Sequence, residues 1–363
     1  MAVQPVSKRK LLALGKNSSL FYRKGKLYIG DAEGQEQVLF GKIPLGGLRG
    51  LLVRSRLAER LLRLEPRVAC ALPDCNYLLS CGGVIYRVEL SSKTLQKELQ
   101  LRAGMNNPLS FTRYHAGKPD EQVLFGEYFS NNRKEPVCIY RRREGSWSKA
   151  YSFPAGEVYH IHGIVADDEN NRVYILTGDQ DSESAIWCTT DDFRTVEPLV
   201  RGSQQYRSCV AFPADKGLLY ATDTPREENR LYHLFQEAGQ WKTVPLCTIP
   251  GPCIYGTQRK DGWCFATSVE GDDTLSPLRY RFSRKLGAGV QDRYSHLIFC
   301  DRSWNVCELA AFKKDVLPML LFQFGNCTFP DAPMDALLLC TPMSVKKYDG
   351  KTIALPIKHN EED

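Results

Sequence analysis

The sequence predicts an all-β fold, a single β-propeller of four-stranded antiparallel blades around a central channel. Short apolar, β-branched and aromatic runs alternate with turn residues such as Gly82-Gly83 and Asp349-Gly350, a pattern typical of strand arrays. Stretches with helical periodicity are few. The runs group in fours with a period of roughly 40–50 residues, which matches the blades of a propeller.

Seven blades follow from this grouping, and one domain is predicted over residues 1–363. Six blades remain the alternative, because the first unit is short. The apolar run Leu11–Leu14 precedes the first unit and is predicted to close the ring against the last blade. The predicted units cover residues 16–46, 68–101, 108–153, 158–201, 204–248, 251–311 and 317–357.

One inserted helix is predicted near residues 49–65. Leu57, Leu61 and Leu64 follow one another at helical spacing, and arginines line another face. A basic amphipathic helix can lie on a membrane or bind a partner. The alternative, which we favour at this stage, is that the leucines pack on a blade while the arginines are solvated. The arginines are Arg56, Arg60 and Arg63.

Composition narrows the classes of protein. No apolar run reaches the roughly 18–20 residues that span a bilayer, so no membrane span is expected. The net charge of +6, without a concentrated basic patch, does not indicate nucleic acid. The 13 cysteines form no C-x-x-C pair and many lie in apolar runs. Free buried thiols in a reducing compartment are the simplest interpretation, which predicts a cytoplasmic protein.

Three turns carry a first resemblance. Thr189–Val196 has the order of an S/T-x-D-x-G-x-T-W turn, with Phe193 in the glycine position. Residues 143–147 and 301–304 look like shortened copies. These turns resemble the Asp boxes of sialidase-like BNR-repeat propellers, in which the aspartate bonds turn amides. Sialidase activity itself is not expected, because Lys42-Ile43-Pro44 stands where those enzymes have R-I-P, and lysine lacks the planar fork that binds a carboxylate.

A second resemblance covers about residues 108–330. An ordered set of polar motifs is similar to a bacterial group of BNR-repeat, "glycosyl hydrolase-like" propellers of unsettled activity. Similar polysaccharide-lyase propellers use His, Tyr and Arg at the ring mouth, which makes carbohydrate chemistry the implied function. The motifs are Gly126-Glu127-Tyr128, His160-Ile161-His162-Gly163, Thr177–Asp181, Gly202–Arg207, Thr222–Asn229 and Leu321–Gly325.

The histidines of this set are the first candidate site residues. His160 and His162 are two apart, so on a strand they share a face. They could supply a general base and a hydrogen-bond donor, hold a metal if carboxylates join them, or tie neighbouring blades. Acid–base or sugar contact is favoured over metal, because the spacing fixes no third ligand, and no cofactor is assigned.

The run Gln204–Arg207 is the second candidate. Arg207 could neutralise a sugar carboxylate, and Tyr206 could donate to a leaving oxygen. Because adjacent strand residues face opposite ways, we expect Gln205 and Arg207 to line the channel together. The alternative is a buried arginine that pairs with carboxylates between blades.

Four carboxylates are candidate supporting groups. Two that faced each other would allow glycoside hydrolysis; the alternative for each is a role in capping a turn or tying a blade. They are Glu127, Asp179, Asp223 and Glu228.

The function predicted from these residues is carbohydrate processing at the channel mouth, by a glycoside hydrolase or a polysaccharide lyase. The partner would be an acidic or complex glycan, or a sugar-containing small molecule. The competing hypothesis is a non-catalytic propeller that binds a glycan or a protein. No P-loop or G-x-S-x-G motif occurs, so nucleotide-binding and serine-hydrolase functions lack support.

Overall fold

The computed structural model describes residues 3–331 and 337–356, which form a seven-bladed β-propeller. Every blade is a four-stranded antiparallel sheet. In the first six blades the chain runs from the innermost strand to the outermost strand. The predicted fold class is therefore confirmed, with seven blades rather than six.

Strand β1 spans Gln4–Ser7, and the other strands follow in chain order. Blade one contains β2 (Lys10–Leu14), β3 (Ser19–Arg23), β4 (Lys26–Gly30) and β5 (Val38–Lys42). Blade two contains β6 (Val68–Ala71), β7 (Tyr77–Cys81), β8 (Val84–Glu89) and β9 (Thr94–Gln100). Blade three contains β10 (Thr112–Tyr114), β11 (Gln122–Gly126), β12 (Val137–Arg143) and β13 (Ser146–Phe153). Blades four to seven contain β14 (Ile161–Asp167), β15 (Arg172–Thr177), β16 (Ala185–Thr189), β17 (Glu197–Arg201); β18 (Ser208–Ala214), β19 (Gly217–Thr222), β20 (Asn229–Glu237), β21 (Gln240–Ile249); β22 (Cys253–Gln258), β23 (Gly262–Thr267), β24 (Tyr294–Asp301), β25 (Val306–Lys313); and β26 (Asn326–Thr328), β27 (Leu337–Met343), β28 (Thr352–Pro356).

The second strand of each blade explains the apolar runs of the sequence. Strands β7, β11, β19 and β23 are buried along their whole length. Each blade packs against a neighbour on both faces, so these strands read as continuous apolar runs rather than alternating ones. The core accordingly lies between blades, as where Tyr174 of β15 and Tyr220 of β19 belong to one buried cluster.

The strand that closes the ring is not the predicted one. Leu11–Leu14 lies in β2, the innermost strand of the first blade, and Leu14 N donates to Asp331 O (2.9 Å) from the end of the last blade. The outermost strand of the last blade is β1, which pairs with β28 at Gln4 and Ala354. An edge strand tolerates polar residues and proline, so Gln4-Pro5-Val6-Ser7 gave no apolar signal.

The structure has two short helices in place of the one predicted helix. Most of the leucines and arginines of the second helix point in directions opposite to those predicted. Helix α1 spans Gly47–Leu52 and α2 spans Arg56–Leu61. Leu57 is 50% exposed and Leu61 is 43% exposed, whereas Arg60 is buried. The expectation of packed leucines and solvated arginines was wrong for Leu57, Leu61, Arg56 and Arg60, because these two arginines have partners in the fold. It holds for Leu64, which is buried, and for Arg63, which is exposed. Of two further short helices, α3 (Pro277–Phe282) lies between β23 and β24 within the sixth blade, and α4 (Met319–Phe322) lies in the connection from the sixth blade to the seventh. Within the described ranges, none of the helices is long and apolar enough to cross a membrane.

Two of the three predicted Asp turns have the expected hydrogen bonds. Asp191 Oδ1 accepts from Thr195 N (3.0 Å), and Asp301 Oδ1 accepts from Asn305 N (2.8 Å). Both turns join the last two strands of a blade. Phe193 has a φ of 68°, a left-handed conformation that explains why the resembling motif has glycine there.

Candidate active site

The candidate site lies where innermost strands begin and second strands end. In each antiparallel blade these two ends are neighbours, as where Ile161 of β14 pairs with Thr177 of β15 and Ser208 of β18 pairs with Thr222 of β19. Residues just outside these ends therefore meet at one mouth of the channel. A cavity of about 570 Å³ opens there.

The two histidines face each other inside this mouth. Both are buried, and their Nε2 atoms are 2.9 Å apart. His160 Nδ1 lies 3.1 Å from Phe129 O, and His162 Nδ1 lies 3.2 Å from Ser208 O. A carbonyl oxygen only accepts hydrogen bonds, so each Nδ1 carries the hydrogen of its ring. In its neutral form each ring then has a lone pair at Nε2, and the two Nε2 atoms point toward the same space.

Asp179 adds a carboxylate to the same space. Its Oδ2 lies 3.4 Å from His160 Nε2, and its Oδ1 lies 3.3 Å from His162 Nε2. Among the described residues, the ligand atoms of His160, His162 and Asp179 lie within 4.8 Å of one another, as a shared metal ion requires.

The residue before Asp179, Gly178, has no room for a side chain. A Cβ at Gly178 would lie 2.7 Å from His162 Cε1 and 3.0 Å from Arg207 Cγ, so a larger residue would push both side chains out of place. Asp179 itself has a φ of 106°, an uncommon conformation for a non-glycine residue. The local backbone is therefore shaped to bring the carboxylate to the histidines.

Arg207 pairs with two carboxylates beside the histidines. Its Nη2 lies 3.2 Å from Asp179 Oδ1 and 3.8 Å from Asp223 Oδ2, and its Nη1 donates to Asp179 O (3.1 Å). Asp223 Oδ2 also accepts from Cys209 Sγ (3.2 Å). His162, Arg207 and Asp223 thus come together as the sequence predicted. Arg207, however, is paired with carboxylates of the protein, which was the alternative interpretation.

The expectation for Gln205 was wrong. Gln204–Tyr206 form a 3₁₀ turn, not a strand, and in a 3₁₀ turn residues three apart lie on the same side. Gln204 therefore accompanies Arg207: its Nε2 donates to Asp179 O (3.1 Å) and to Asp181 Oδ1 (2.8 Å). Tyr206 lies on the side of Tyr220 and Tyr232, away from the histidines.

Two predicted acids lie outside the cluster. Glu127 is buried, pairs with Arg102 (3.0 Å) and accepts from Cys138 N (2.9 Å), so it ties the third blade to the connection from the second blade. Glu228 is exposed and pairs with Arg230. Successive side chains next to a strand end point in alternating directions. Tyr128, the residue after Glu127, therefore lines the mouth in place of Glu127.

Tyr128 and two arginines are site residues that the sequence analysis missed. The Tyr128 ring lies 4.2 Å from the His160 ring, and Arg67 Cζ lies 5.5 Å from the Tyr128 centroid. Arg63 lines the same cavity. Arg63 is exposed, and its Nη2 donates to Leu320 O (3.1 Å). Among the residues that the structure describes, neither arginine forms an ion pair with a carboxylate, so the mouth has an uncompensated positive wall.

Glu270 is a further buried carboxyl near the site. It accepts from Ser268 Oγ (2.6 Å), and burial together with the Asp223 carboxylate raises the pKa of Glu270 to about 8. Arg207 opposes the rise, and Asp273 adds to it. At neutral pH the carboxyl is therefore mostly protonated.

We expect Glu270 to make stability depend on pH. A raised pKa in the folded state favours folding below the ordinary value of 4.5, and this contribution is lost as the pH rises to about 8. Glu270→Gln should match the wild type in free energy of unfolding near pH 4 and exceed it near pH 9, by at most roughly 5 kcal/mol. Thermal or urea denaturation across this range measures the difference. Glu227→Gln, the same change at an exposed residue, should leave the profile unchanged, and parallel wild-type and Glu270→Gln profiles would contradict the assignment.

Comparison with known proteins finds similar folds but identifies no family for this chain. No family model matches the chain, and no curated protein matches it. Among solved structures, the oligogalacturonate lyase from Vibrio parahaemolyticus aligns with a TM-score of 0.58 and 12% identity, over 96% of this chain and 91% of that one. An oligogalacturonate lyase in complex with manganese aligns with a TM-score of 0.57 and 11% identity, over 98% of both chains. A chain of the mitotic checkpoint complex aligns with a TM-score of 0.53 and 7% identity, over 96% of this chain and 89% of that one. At these identities the likeness is one of fold.

Proposed function

We propose that this protein is a carbohydrate-processing enzyme that cleaves an acidic glycan by β-elimination, with a divalent metal ion held by His160, His162 and Asp179. The observation that carries the proposal is the pair of Nε2 atoms 2.9 Å apart beside a carboxylate, while each Nδ1 faces a carbonyl oxygen. Lone pairs so close repel each other unless a cation lies between them. Two imidazoles and a carboxylate are ligands that zinc, manganese and iron accept.

The surroundings of the three ligands support a metal site. Metal-bound histidines usually donate their second ring N–H to a carbonyl or carboxylate, as His160 and His162 do to Phe129 O and Ser208 O. Arg207 and Gln204 donate to the carbonyl of Asp179 and so hold its backbone. Residue spacing alone left the third ligand open, and Asp179 fits that role. One of the similar folds, an oligogalacturonate lyase, has been solved with manganese.

Elimination fits the charges of the mouth better than hydrolysis does. Glycoside hydrolysis needs two carboxyl groups that act on the bond from either side. Here Asp179 and Asp223 are held by Arg207, and Glu65 is held by Arg56 at 2.9 Å. Elimination instead needs positive charge on the sugar carboxylate, which acidifies the hydrogen on the adjoining carbon.

Each residue of the mouth then has a role. Arg67 and Arg63 bind the carboxylate of the sugar, because no carboxylate of the described chain pairs with them. A divalent ion at the histidines would add positive charge on the same side. Tyr128 lies between Arg67 and His160 and moves the proton: its oxygen takes the carbon-bound hydrogen while its own hydrogen passes to the glycosidic oxygen. The carbon–oxygen bond breaks, a carbon–carbon double bond forms, and Tyr128 is regenerated.

A panel of acidic oligosaccharides tests the proposed reaction. We expect ultraviolet absorbance from an unsaturated uronate product, loss of this activity after chelation, and recovery when manganese is added back. New reducing ends without absorbance would mean hydrolysis. Binding of the sugar without turnover would support the alternative of a non-catalytic propeller.

Metal binding is measured separately, by calorimetric titration of the chelated protein with manganese and zinc salts. His162→Ala and Asp179→Asn should each weaken binding by about 10- to 100-fold or more. His115→Ala removes a histidine that pairs with Asp120 in a different part of the chain and should bind metal as the wild type does. Equal binding by all variants would refute the ligand assignment.

A further inference from the structure

The connection between the first two blades turns apolar side chains toward solvent. In α1, Leu48 is 69% exposed and Leu51 is 59% exposed, and Leu57 in α2 is 50% exposed. Leu61 and Leu62 are exposed as well. Five leucines exposed within fifteen residues form a patch that a protein surface seldom presents without a function. We call residues 44–64 the cap.

The outward direction of these leucines is fixed by buried charges. Arg56 donates to Glu59 and Asp349, each at 2.9 Å, and Arg60 pairs with Asp315 at 2.6 Å. Arg60 also donates to Phe322 O through Nε at 3.0 Å. These bonds set the rotation of α2 about its axis, with arginines toward the propeller and leucines away from it. The apolar face is therefore held outward by the fold.

A basic groove lies directly beside the cap. Its volume is about 350 Å³, and its basic residues Lys24, Lys26, Lys42 and Arg54 lie beside apolar residues and glycines of the cap, among them Pro44, Leu45 and Val53. Within the described ranges, none of these four cations forms an ion pair with a carboxylate. The cap itself contains one acidic residue, Glu59, which is buried. The groove is therefore complementary to an anion such as a phosphate group.

A second apolar and basic patch lies next to α2. Helix α4 packs against both α2 and α3. In α3, Leu278 is 71% exposed and Phe282 is 60% exposed, and the arginines between them, Arg279 and Arg281, are exposed too. No acidic residue occurs from residue 275 to residue 291. Leucine, phenylalanine and arginine thus alternate along one rim of the propeller.

We propose that the cap docks on the surface of an anionic phospholipid membrane. An exposed apolar face beside basic residues is the combination by which a peripheral protein lies in the interface of a membrane. The four unpaired cations beside the leucines suit lipid phosphates, since cations near a surface are attracted to anionic headgroups. Both features, apolar insertion and charge attraction, are needed together for peripheral membrane binding. This inference does not depend on the proposed enzymatic function.

Co-sedimentation of the full chain with vesicles tests the proposal. We expect binding to vesicles of phosphatidylcholine mixed with phosphatidylglycerol, little binding to phosphatidylcholine alone, and release at high salt. Leu48→Ser with Leu51→Ser, and separately Lys24→Glu with Lys26→Glu, should each lower the vesicle partition coefficient roughly tenfold or more. Since all four residues are at the surface or groove edge, the melting temperature should not change.

The controls make the same changes elsewhere. Val244 is 44% exposed in β21, and Lys149 is exposed in β13, so Val244→Ser with Lys149→Glu should bind vesicles like the wild type. Absence of binding to anionic vesicles, or equal binding to neutral ones, would overturn the proposal. Binding to soluble polyglutamate that is as strong as binding to vesicles, and insensitive to the leucine changes, would indicate an acidic protein partner and overturn it as well.

Discussion

Replacing Arg67 with alanine is expected to weaken binding of an acidic oligosaccharide by roughly 10- to 100-fold, because a hydrogen bond to a charged group contributes about 1.5–3 kcal/mol. Arg67 lines the mouth cavity, and among the described residues no carboxylate pairs with it. Its positive charge is therefore available to a ligand. Titration calorimetry with an acidic oligosaccharide and with its neutral counterpart measures the effect, and only the acidic ligand should be weakened.

Two further variants separate charge from geometry. Arg67→Lys keeps the charge but loses the planar fork, so its affinity should fall between those of the wild type and Arg67→Ala. Arg143→Ala removes an arginine that is exposed at the turn after β12 and should change nothing. If the neutral sugar lost as much affinity as the acidic one, Arg67 would have a structural role only.

The strands were predictable because burial on both faces leaves a direct trace in the sequence. Strand β19, for example, is a continuous apolar run from Gly217 to Thr222, and all of its residues are buried. The closing strand β1 leaves no such trace, since it lies at an outer edge and two of its residues are exposed. Edge position is a property of the assembled ring, so no local pattern distinguishes Gln4–Ser7 from a disordered start.

The candidate site was predictable only in part, for a related reason. His162, Asp179 and Asp223 were found because each lies at a strand end, and strand ends meet at the channel mouth. Gln205 was chosen by strand alternation, and the local 3₁₀ turn makes Gln204 the residue that faces Asp179. A 3₁₀ turn of three residues is therefore enough to change which glutamine faces the site.

The arginines illustrate a second limit. Arg56 and Arg60 look like solvated charges in sequence, yet their partners Asp349 and Asp315 are distant in the chain. Arg63 and Arg67 look the same in sequence, and they differ because no carboxylate in residues 3–331 or 337–356 pairs with them. Whether a charge is compensated depends on contacts between blades. The positive wall of the mouth and the outward leucines of the cap could therefore not be predicted from residue spacing.

Tyr128→Phe is expected to lower turnover of an acidic oligosaccharide by about 10²- to 10⁴-fold, the range for loss of a proton-transfer group, while binding of the substrate stays within about threefold of the wild type. The phenylalanine ring keeps the contact with His160, whose ring is 4.2 Å away. Only the hydroxyl is lost, so the mouth keeps its shape and the metal ligands keep their positions. The rate of formation of unsaturated product, measured together with affinity and metal content, shows whether chemistry alone is affected.

Tyr159→Phe provides the matched control. Tyr159 lines the same cavity and its ring lies 4.9 Å from the His160 ring, but its hydroxyl donates to Asn132 Oδ1 at 2.9 Å. Since this hydroxyl already has a partner in the surface loop, its removal should leave turnover nearly unchanged. Equal losses in the two variants would mean that the mouth needs a polar rim rather than a proton carrier at Tyr128. Full activity of Tyr128→Phe would remove Tyr128 from the mechanism and leave the proton to be carried by another group that lines the cavity, such as Lys10 or Tyr255.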